Sequence, residues 1–447
     1  MTRYDTMTAT PPRLLFVSHH FPPDISIGSR RSHRIVSQML ARGWDVDVLC
    51  AKQMYQDGCD LSLMAGLEGA NIVRTHALHP RAWARWTRDV ARGGDGTNTR
   101  PAADTTATER APGQASPLRR LVSKARAAVS DGVHRWVELP DQRIGWLLPA
   151  VATAVAFERP DVVLVTIPWA TSALVGTAVA ARFGVPLVLD YRDPWNASVR
   201  RTDMPPARRA LEARLEAICL ARATELTTVT PGLAREIGAQ SGRALHVIPN
   251  ASEPENFEGM TPRTFDRPTM LYAGGLYGGR TVTPLLESLA RLQATGALNG
   301  HPLGLMVMGA DNAQIARDAE ALGIAALVDV LPRQTHATAM AATLGAAANL
   351  LLVAPQHKLQ VPAKVFDHVA VGRPILALSP AGADVDLVLA DHPAARCVRP
   401  EDGGAIDRAL HDLAHGEWRG SKQIPEAYTV KATMDKLDEV LRAAARV

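Results

Sequence analysis

Cysteine is scarce in this chain. Its 447 residues hold four, Cys50, Cys59, Cys219 and Cys397, and no two stand at C-x-x-C spacing. That argues against a thiolate zinc motif and a disulfide framework, and core positions are the expectation for the four. Long apolar runs are missing too: the opening MTRYDTMTATPPRLLFVSHHF has none of signal-peptide or membrane-span length before the first strand, and none follows. A cytoplasmic protein is the expectation. G-x-G-x-x-G is absent, which removes an ordinary dinucleotide fingerprint. The formal net charge is only +4, and it hides a local excess: Arg81 to Val137 carries eleven Lys or Arg against five acids, a balance of +6. The rest of the chain is slightly acidic, which argues against nucleic acid as a partner of the folded domains.

What is present is a soluble globular composition, 47% hydrophobic and 21% charged, in a chain too long for a single core. Short apolar runs alternate with helical patterns almost throughout, the signature of parallel sheets with crossover helices. The first series of strands is read at Leu14–Ser18, Val46–Leu49, Ile72–Arg74, Val162–Val165, Pro186–Leu189, Leu226–Val229 and His246–Ile248, with helices such as Arg30–Arg42 and Ala207–Ala223 between them. The second is read at Met270–Ala273, Gly304–Met308, Leu327–Leu331, Asn349–Val353, Ile375–Leu378 and Arg396–Val398. The economical arrangement is α/β, with two doubly wound Rossmann-like domains at 12–255 and 265–425 and ligand at the carboxyl ends of the strands. A last helix, Lys431–Ala445, lies in a terminal segment, 426–447.

An insertion at 81–137 interrupts the first domain. Residues 92–116, RGGDGTNTRPAADTTATERAPGQAS, are rich in Gly, Thr, Ala and Pro without apolar periodicity, which predicts disorder. Residues 117–137 then place Leu118, Leu121, Val122, Ala125, Val129, Val133 and Trp136 on one stripe among Arg119, Arg120, Lys124 and Arg126. Two readings stay open: a basic amphipathic helix on an anionic membrane surface, or a helix packed on its own domain.

Four further stretches carry chemistry. VPAKVFDHVAVGRPIL (361–376) reads as a short helix entered through Pro362 and stopped by Gly372 and Pro374. Lys364 and Asp367 stand three apart in it, either a simple ion pair or a cation and an acceptor for a diphosphate and a ribose diol. YAGGLYGGRTVTPLLESLARL (272–292) sets Gly274, Gly275, Gly278 and Gly279 between a strand and a helix with Arg280 at the helix start. Backbone N–H groups, the helix dipole and a guanidinium there suit phosphate oxygens. Near the amino end, HHFPPDISIGSRRSHRIVSQMLARG leads from the first strand through Gly28 to a helix beginning near Ser29, with His20, Arg30 and Arg31 beside the turn. Finally VLDYRDPWN brings Asp190, Arg192, Asp193 and Trp195 to the end of a strand, where Asp193 also suits an Asx-type turn.

Taken in order, these loops resemble those of GT-B glycosyltransferases of family 4. The likeness covers roughly 12–80 and 138–445, and the D-[FY]-R-D-x-W and P-[SA]-K-x-[FY]-[ED]-[YH] patterns match a subgroup from bacterial polysaccharide and glycolipid assembly. It implies two Rossmann-like domains facing across a cleft, with the last helix crossing back to the first. The implied activity is retaining transfer, of the hexosyltransferase class, from a nucleoside diphosphate sugar to a hydroxyl of a glycan or lipid-linked glycan. Gly28, Gly275, Gly278, Gly279, Arg280, Arg333, Lys364 and Asp367 would bind the donor, Arg333 lying in the segment LPRQTH. Arg192, Asp193, Arg280 and Lys364 would serve the reaction. His20, Arg30, Arg31, Asp190 and Trp195 would line the acceptor side. The family's first glutamate is replaced by Leu359, eight positions before Asp367. No cofactor is implied beyond the donor as co-substrate, and no metal, since no Asp-x-Asp pair lies in a suitable loop. A nucleotide-sugar 2-epimerase and a silent nucleotide-sugar-binding protein share the fold and stay open as alternatives.

Overall fold

A computed structural model describes residues 10–52, 58–77, 136, 138–195, 204–309 and 313–446. The basic insertion, apart from Trp136, lies outside the described residues, and with it the readings of 92–116 and 117–137. By internal contacts the chain forms two compact units, 1–226 with 441–447 and 227–440.

The strands follow the sequence reading closely. They are β1 (Arg13–Ser18), β2 (Asp45–Lys52), β3 (Asn71–His76), β4 (Val162–Ile167), β5 (Leu187–Tyr191), β6 (Glu225–Thr228), β7 (His246–Val247), β8 (Thr269–Ala273), β9 (Gly304–Met308), β10 (Val328–Leu331), β11 (Ala348–Leu352), β12 (Ile375–Leu378) and β13 (Ala395–Val398). The α-helices described are α1 (Ile27–Ala41), α2 (Leu147–Ala154), α3 (Ala170–Phe183), α4 (Pro206–Arg222), α5 (Pro231–Ser241), α6 (Thr283–Ala294), α7 (Ala313–Ala321), α8 (His336–Gly345), α9 (Lys364–Val371), α10 (Asp384–Leu389), α11 (Gly403–Ala414) and α12 (Val430–Ala445).

Strand order is β3-β2-β1-β4-β5-β6-β7 in one sheet and β10-β9-β8-β11-β12-β13 in the other. The pairs β1–β2, β1–β4, β4–β5, β8–β9 and β11–β12 are all parallel. Both orders reverse direction beside their first strand, between β1 and β4 and between β8 and β11, which is where a doubly wound sheet opens a crevice at its carboxyl edge.

Burial on both faces explains why these strands read as unbroken apolar runs. In the second unit, alternate residues feed opposite layers. Met270, Leu305, Val307, Leu350, Leu352, Leu376 and Leu378 join a cluster with residues of α6, α7 and α11. Their neighbours Leu351, Val353, Ile375 and Ala377 join Val365, Phe366 and Val369 of α9 and residues of α10 on the other face. In the first unit β1 and β4 are buried almost along their whole length, and α3 lies close on β4. The terminal segment of α12 belongs to the first unit, where Arg442 donates to the Arg42 carbonyl (3.0 Å) and its guanidinium lies over the Trp44 ring (5.2 Å).

The approach of α3 to β4 depends on Gly176, because a Cβ there would run into the Val165 side chain. Gly176→Leu therefore overpacks the layer and should lower stability by about 1–3 kcal/mol or more. An unchanged urea midpoint in that variant would contradict the tight helix-on-strand packing.

Candidate functional site

In the second unit the groups singled out by sequence meet at the switch point. The loop after β8 and the entrance of α9, which follows β11, belong to neighbouring strands. Helix α9 forms here because Val365, Phe366 and Val369 supply an apolar face, while Gly372 (φ 74°) ends it in the left-handed region that only glycine adopts freely. Pro362 and Ala363 close its first turn by accepting from the N–H groups of Val365 and Phe366. Lys364 is thereby fixed at the first position of the helix.

The Lys364 ammonium sits 3.8 Å from the centroid of Tyr272, which points up from β8, and donates to the Ala273 carbonyl at 3.3 Å. A side chain at Gly274 would press on it, since a Cβ there would stand 3.3 Å from the Lys364 Nζ. The Tyr272 hydroxyl donates to the Gly275 carbonyl (3.0 Å), which ties the loop to the strand. Arg280 stands at the far side of the loop with its guanidinium 4.6 Å from the Tyr277 ring, and its Nε is buried without a hydrogen-bond partner. Gly278 takes φ 61°, and a Cβ there would meet the His357 Nε2 at 2.7 Å. Gln356 donates to the Gly278 carbonyl.

Electrostatically this corner is under tension. Desolvation first, and then the Arg280 charge, pull the Lys364 ammonium down to about 7. His368, one turn along α9, is buried and pushed well below its usual range by the same desolvation and by Lys364. Two cations in poorly solvated surroundings are the arrangement that an incoming polyanion relieves. Asp367 is half-buried on the same helix, whereas Arg333 is exposed after β10, two strands away from β8. Tyr272, His368 and Gln356 were not identified from sequence. For Tyr272 the available signal was alternation: it lies two residues before Gly274, on the same face of the extended chain.

In the first unit the corresponding switch point lies beside β1. The His20 Nδ1 is 2.9 Å from the Asp24 Oδ2, and the Ser26 hydroxyl donates to the same oxygen at 3.1 Å. Burial alone would raise the Asp24 carboxyl, yet hydrogen bonds from His20 and Ser26 outweigh it and hold it below its ordinary value. Gly28 lets α1 pass close to its neighbours: a Cβ would stand 3.2 Å from that of His20 and 3.5 Å from the Arg192 Nη1, which donates to the Gly28 carbonyl at 3.3 Å. Desolvation and then the nearby Arg31 lower the Arg192 guanidinium from its usual value, with Asp193 and Asp190 opposing. Arg30 and Asp193 are half-buried.

Arg31 and Asp190 are turned to one another. The Arg31 Nε and Nη2 donate to the two Asp190 oxygens at 3.0 and 2.8 Å, and the Thr166 hydroxyl adds a third bond at 3.0 Å. Both side chains are 1% exposed. The pair joins α1 to the ends of β4 and β5, and Trp195 is buried as well, so these three shape the site from behind. Asp190→Ala would take the bidentate carboxylate from a buried Arg31 charge, and we expect a loss of about 3–5 kcal/mol in urea unfolding. A loss below about 1 kcal/mol would mean that the pair does not hold α1 in place.

A second expectation follows from Lys364. A bound diphosphate favours the ammonium and raises a pKa that lies at about 7 in the free protein. Near pH 8, binding should then take up close to one proton, and affinity should fall as pH climbs above 7. Calorimetry of nucleoside diphosphate binding in buffers of different ionisation enthalpy reads this directly, with the uptake absent in Lys364→Met. Binding without proton uptake near pH 8 would show that Lys364 does not face the diphosphate.

Comparison with known proteins places residues 28–251 in the family described as a glycosyl transferase 4-like domain. A search of curated proteins gives no match. Solved structures share the fold over nearly the whole chain. The lipopolysaccharide outer core galactosyltransferase WaaB in its apo form is 12% identical, with a TM-score of 0.53 over 96% of this chain and 99% of its own. HepE of Anabaena, solved with UDP and glucose, is 12% identical, with a TM-score of 0.56 over 97% and 100%. The UDP-GlcNAc 2-epimerase from Neisseria meningitidis, bound to UDP-GlcNAc, is 11% identical, with a TM-score of 0.53 over 96% and 100%. At such identities the shared feature is the GT-B fold itself, as the loops indicated.

Proposed function

The chain belongs to the glycosyl transferase 4-like domain family, and on that premise we propose that it is a retaining, metal-independent glycosyltransferase acting on a nucleoside diphosphate sugar. The acceptor is a hydroxyl of a glycan or lipid-linked glycan in cell-surface polysaccharide or glycolipid synthesis. One observation carries the donor assignment: Lys364 and Arg280 converge at the switch point of the second sheet, where desolvation and mutual repulsion leave the lysine near neutrality. HepE, solved with UDP-glucose, gives a precedent for such a donor on this fold.

The diphosphate leaves toward Arg280, Lys364 and the N–H groups of the loop 274–279, with Asp367 accepting from the ribose hydroxyls. Charge that develops on the departing phosphate is met by donors already in place, so little reorganisation is needed. Departure occurs on the face that the acceptor hydroxyl enters, and that hydroxyl gives its proton to the leaving phosphate. Configuration at the anomeric carbon is thereby retained without a protein nucleophile. His20 and Arg30 in the first unit serve the acceptor side, and Arg192 and Asp193 serve the reaction.

Attachment to an anionic membrane face through 117–137, from the cytoplasm, belongs to the same proposal. No described helix is long and apolar enough to cross a membrane.

Release of nucleoside diphosphate from sugar donors, with and without lipid-linked or oligosaccharide acceptors, tests the reading. Release should require acceptor, and Arg280→Ala and Lys364→Ala should each lower kcat/KM by about 10- to 100-fold, the worth of one charge-assisted hydrogen bond. Conversion of donor to an isomer without acceptor would identify an epimerase instead. Binding without turnover under any acceptor would identify a silent binding protein.

A further inference from the structure

Far along the second unit, at the carboxyl end of α11, three imidazoles and two carboxylates gather at one corner. His411 and His415 are four apart, so both lie on one helical face. Their rings stack at 4.0 Å between centroids, and the His301 ring, from the segment before β9, lies 4.3 Å from that of His415. The chain then doubles back. Gly416, at φ 72°, permits a turn in which the N–H groups of Glu417 and Trp418 both donate to the Asp412 carbonyl, at 2.8 and 3.2 Å. Buried Trp418 anchors that turn in the core. The result is that ligand atoms of His411, Asp412 and Glu417 all lie within 4.8 Å of one another.

The tautomers and charges suit a cation. The His415 Nδ1 is 2.9 Å from the His411 carbonyl oxygen, which can only accept, so this nitrogen carries a proton. Asp412 is held from behind: the Arg396 Nη1 donates to its Oδ2 at 2.7 Å, leaving Oδ1 on the His411 side, 3.6 Å from that Nδ1. Ligating carboxylates are commonly oriented in this way by an outer partner. His411 and Glu417 are solvent-accessible, so small rotations bring their donor atoms to the separations that metal–ligand bonds of about 2.0–2.2 Å require.

We propose that this corner is a binding site for a divalent transition metal of the zinc or nickel kind, with His411, Asp412 and Glu417 as ligands and His415 beside them. Mixed imidazole and carboxylate donors match those ions rather than magnesium or calcium, which prefer oxygen alone. A bound ion would pin the end of α11 to the turn that follows it. The site is separate from the loops around Lys364 and does not depend on the proposed transferase reaction.

The test uses the untagged full-length protein, stripped with chelator and titrated with zinc by calorimetry, and with cobalt(II) followed by its visible spectrum. One ion should bind per chain, and zinc should raise the thermal midpoint. Exposed His411→Gln and Glu417→Gln should fold as the parent does while weakening zinc binding by at least about tenfold, and the double variant should lose the thermal shift. Failure of the parent to bind zinc or cobalt overturns the proposal. So does equal binding by the variants, or a cobalt spectrum with thiolate charge-transfer bands, which would put the ion on cysteines.

Discussion

Covering a parallel sheet on both faces is the constraint from which the rest follows. Once α3 lies on β4, and α6 and α9 lie on opposite faces of the second sheet, a polar group along the middle of a strand needs a partner of its own. Polar groups collect where strands end, and most where the strand order reverses and neighbouring loops part. His20, Gly28 and Arg192 stand at the β1 side of that reversal in one unit, and Gly274 to Arg280 with Lys364 at the β8–β11 reversal in the other.

The two units use buried charge in opposite ways. Arg31 and Asp190 are paired, hydrogen-bonded and nearly free of solvent, so they hold one geometry and gain nothing from a ligand. Lys364 is also desolvated, but its partners are a tyrosine face and a backbone carbonyl, and its charged neighbour Arg280 repels it. The first arrangement is complete as folded. The second becomes favourable when an anion arrives, which is the physical distinction between a scaffold charge and a binding charge.

The loop before α9 is apolar where the resemblance implies a glutamate: it carries Leu359, whose carbonyl accepts from the Thr230 hydroxyl within the second unit. On the proposed reading, a donor at this corner would meet cations, loop amides and Asp367.

The residues by themselves determined the strands, because an apolar run bounded by turn residues needs no partner to be recognised, and all thirteen runs read as strands fold as strands. They also determined which loops carry glycine, arginine and lysine at helix starts, since capping and backbone freedom are local. What only the tertiary structure decided is which of those groups meet. That Arg31 is spent on Asp190, 159 positions away, that Tyr272 lies beneath Lys364, and that His301 joins His411 and His415 are consequences of strand order and helix packing. Local periodicity contains no information about such distant neighbours, and it is their distances and desolvation that separate a structural ion pair from a cation awaiting a ligand.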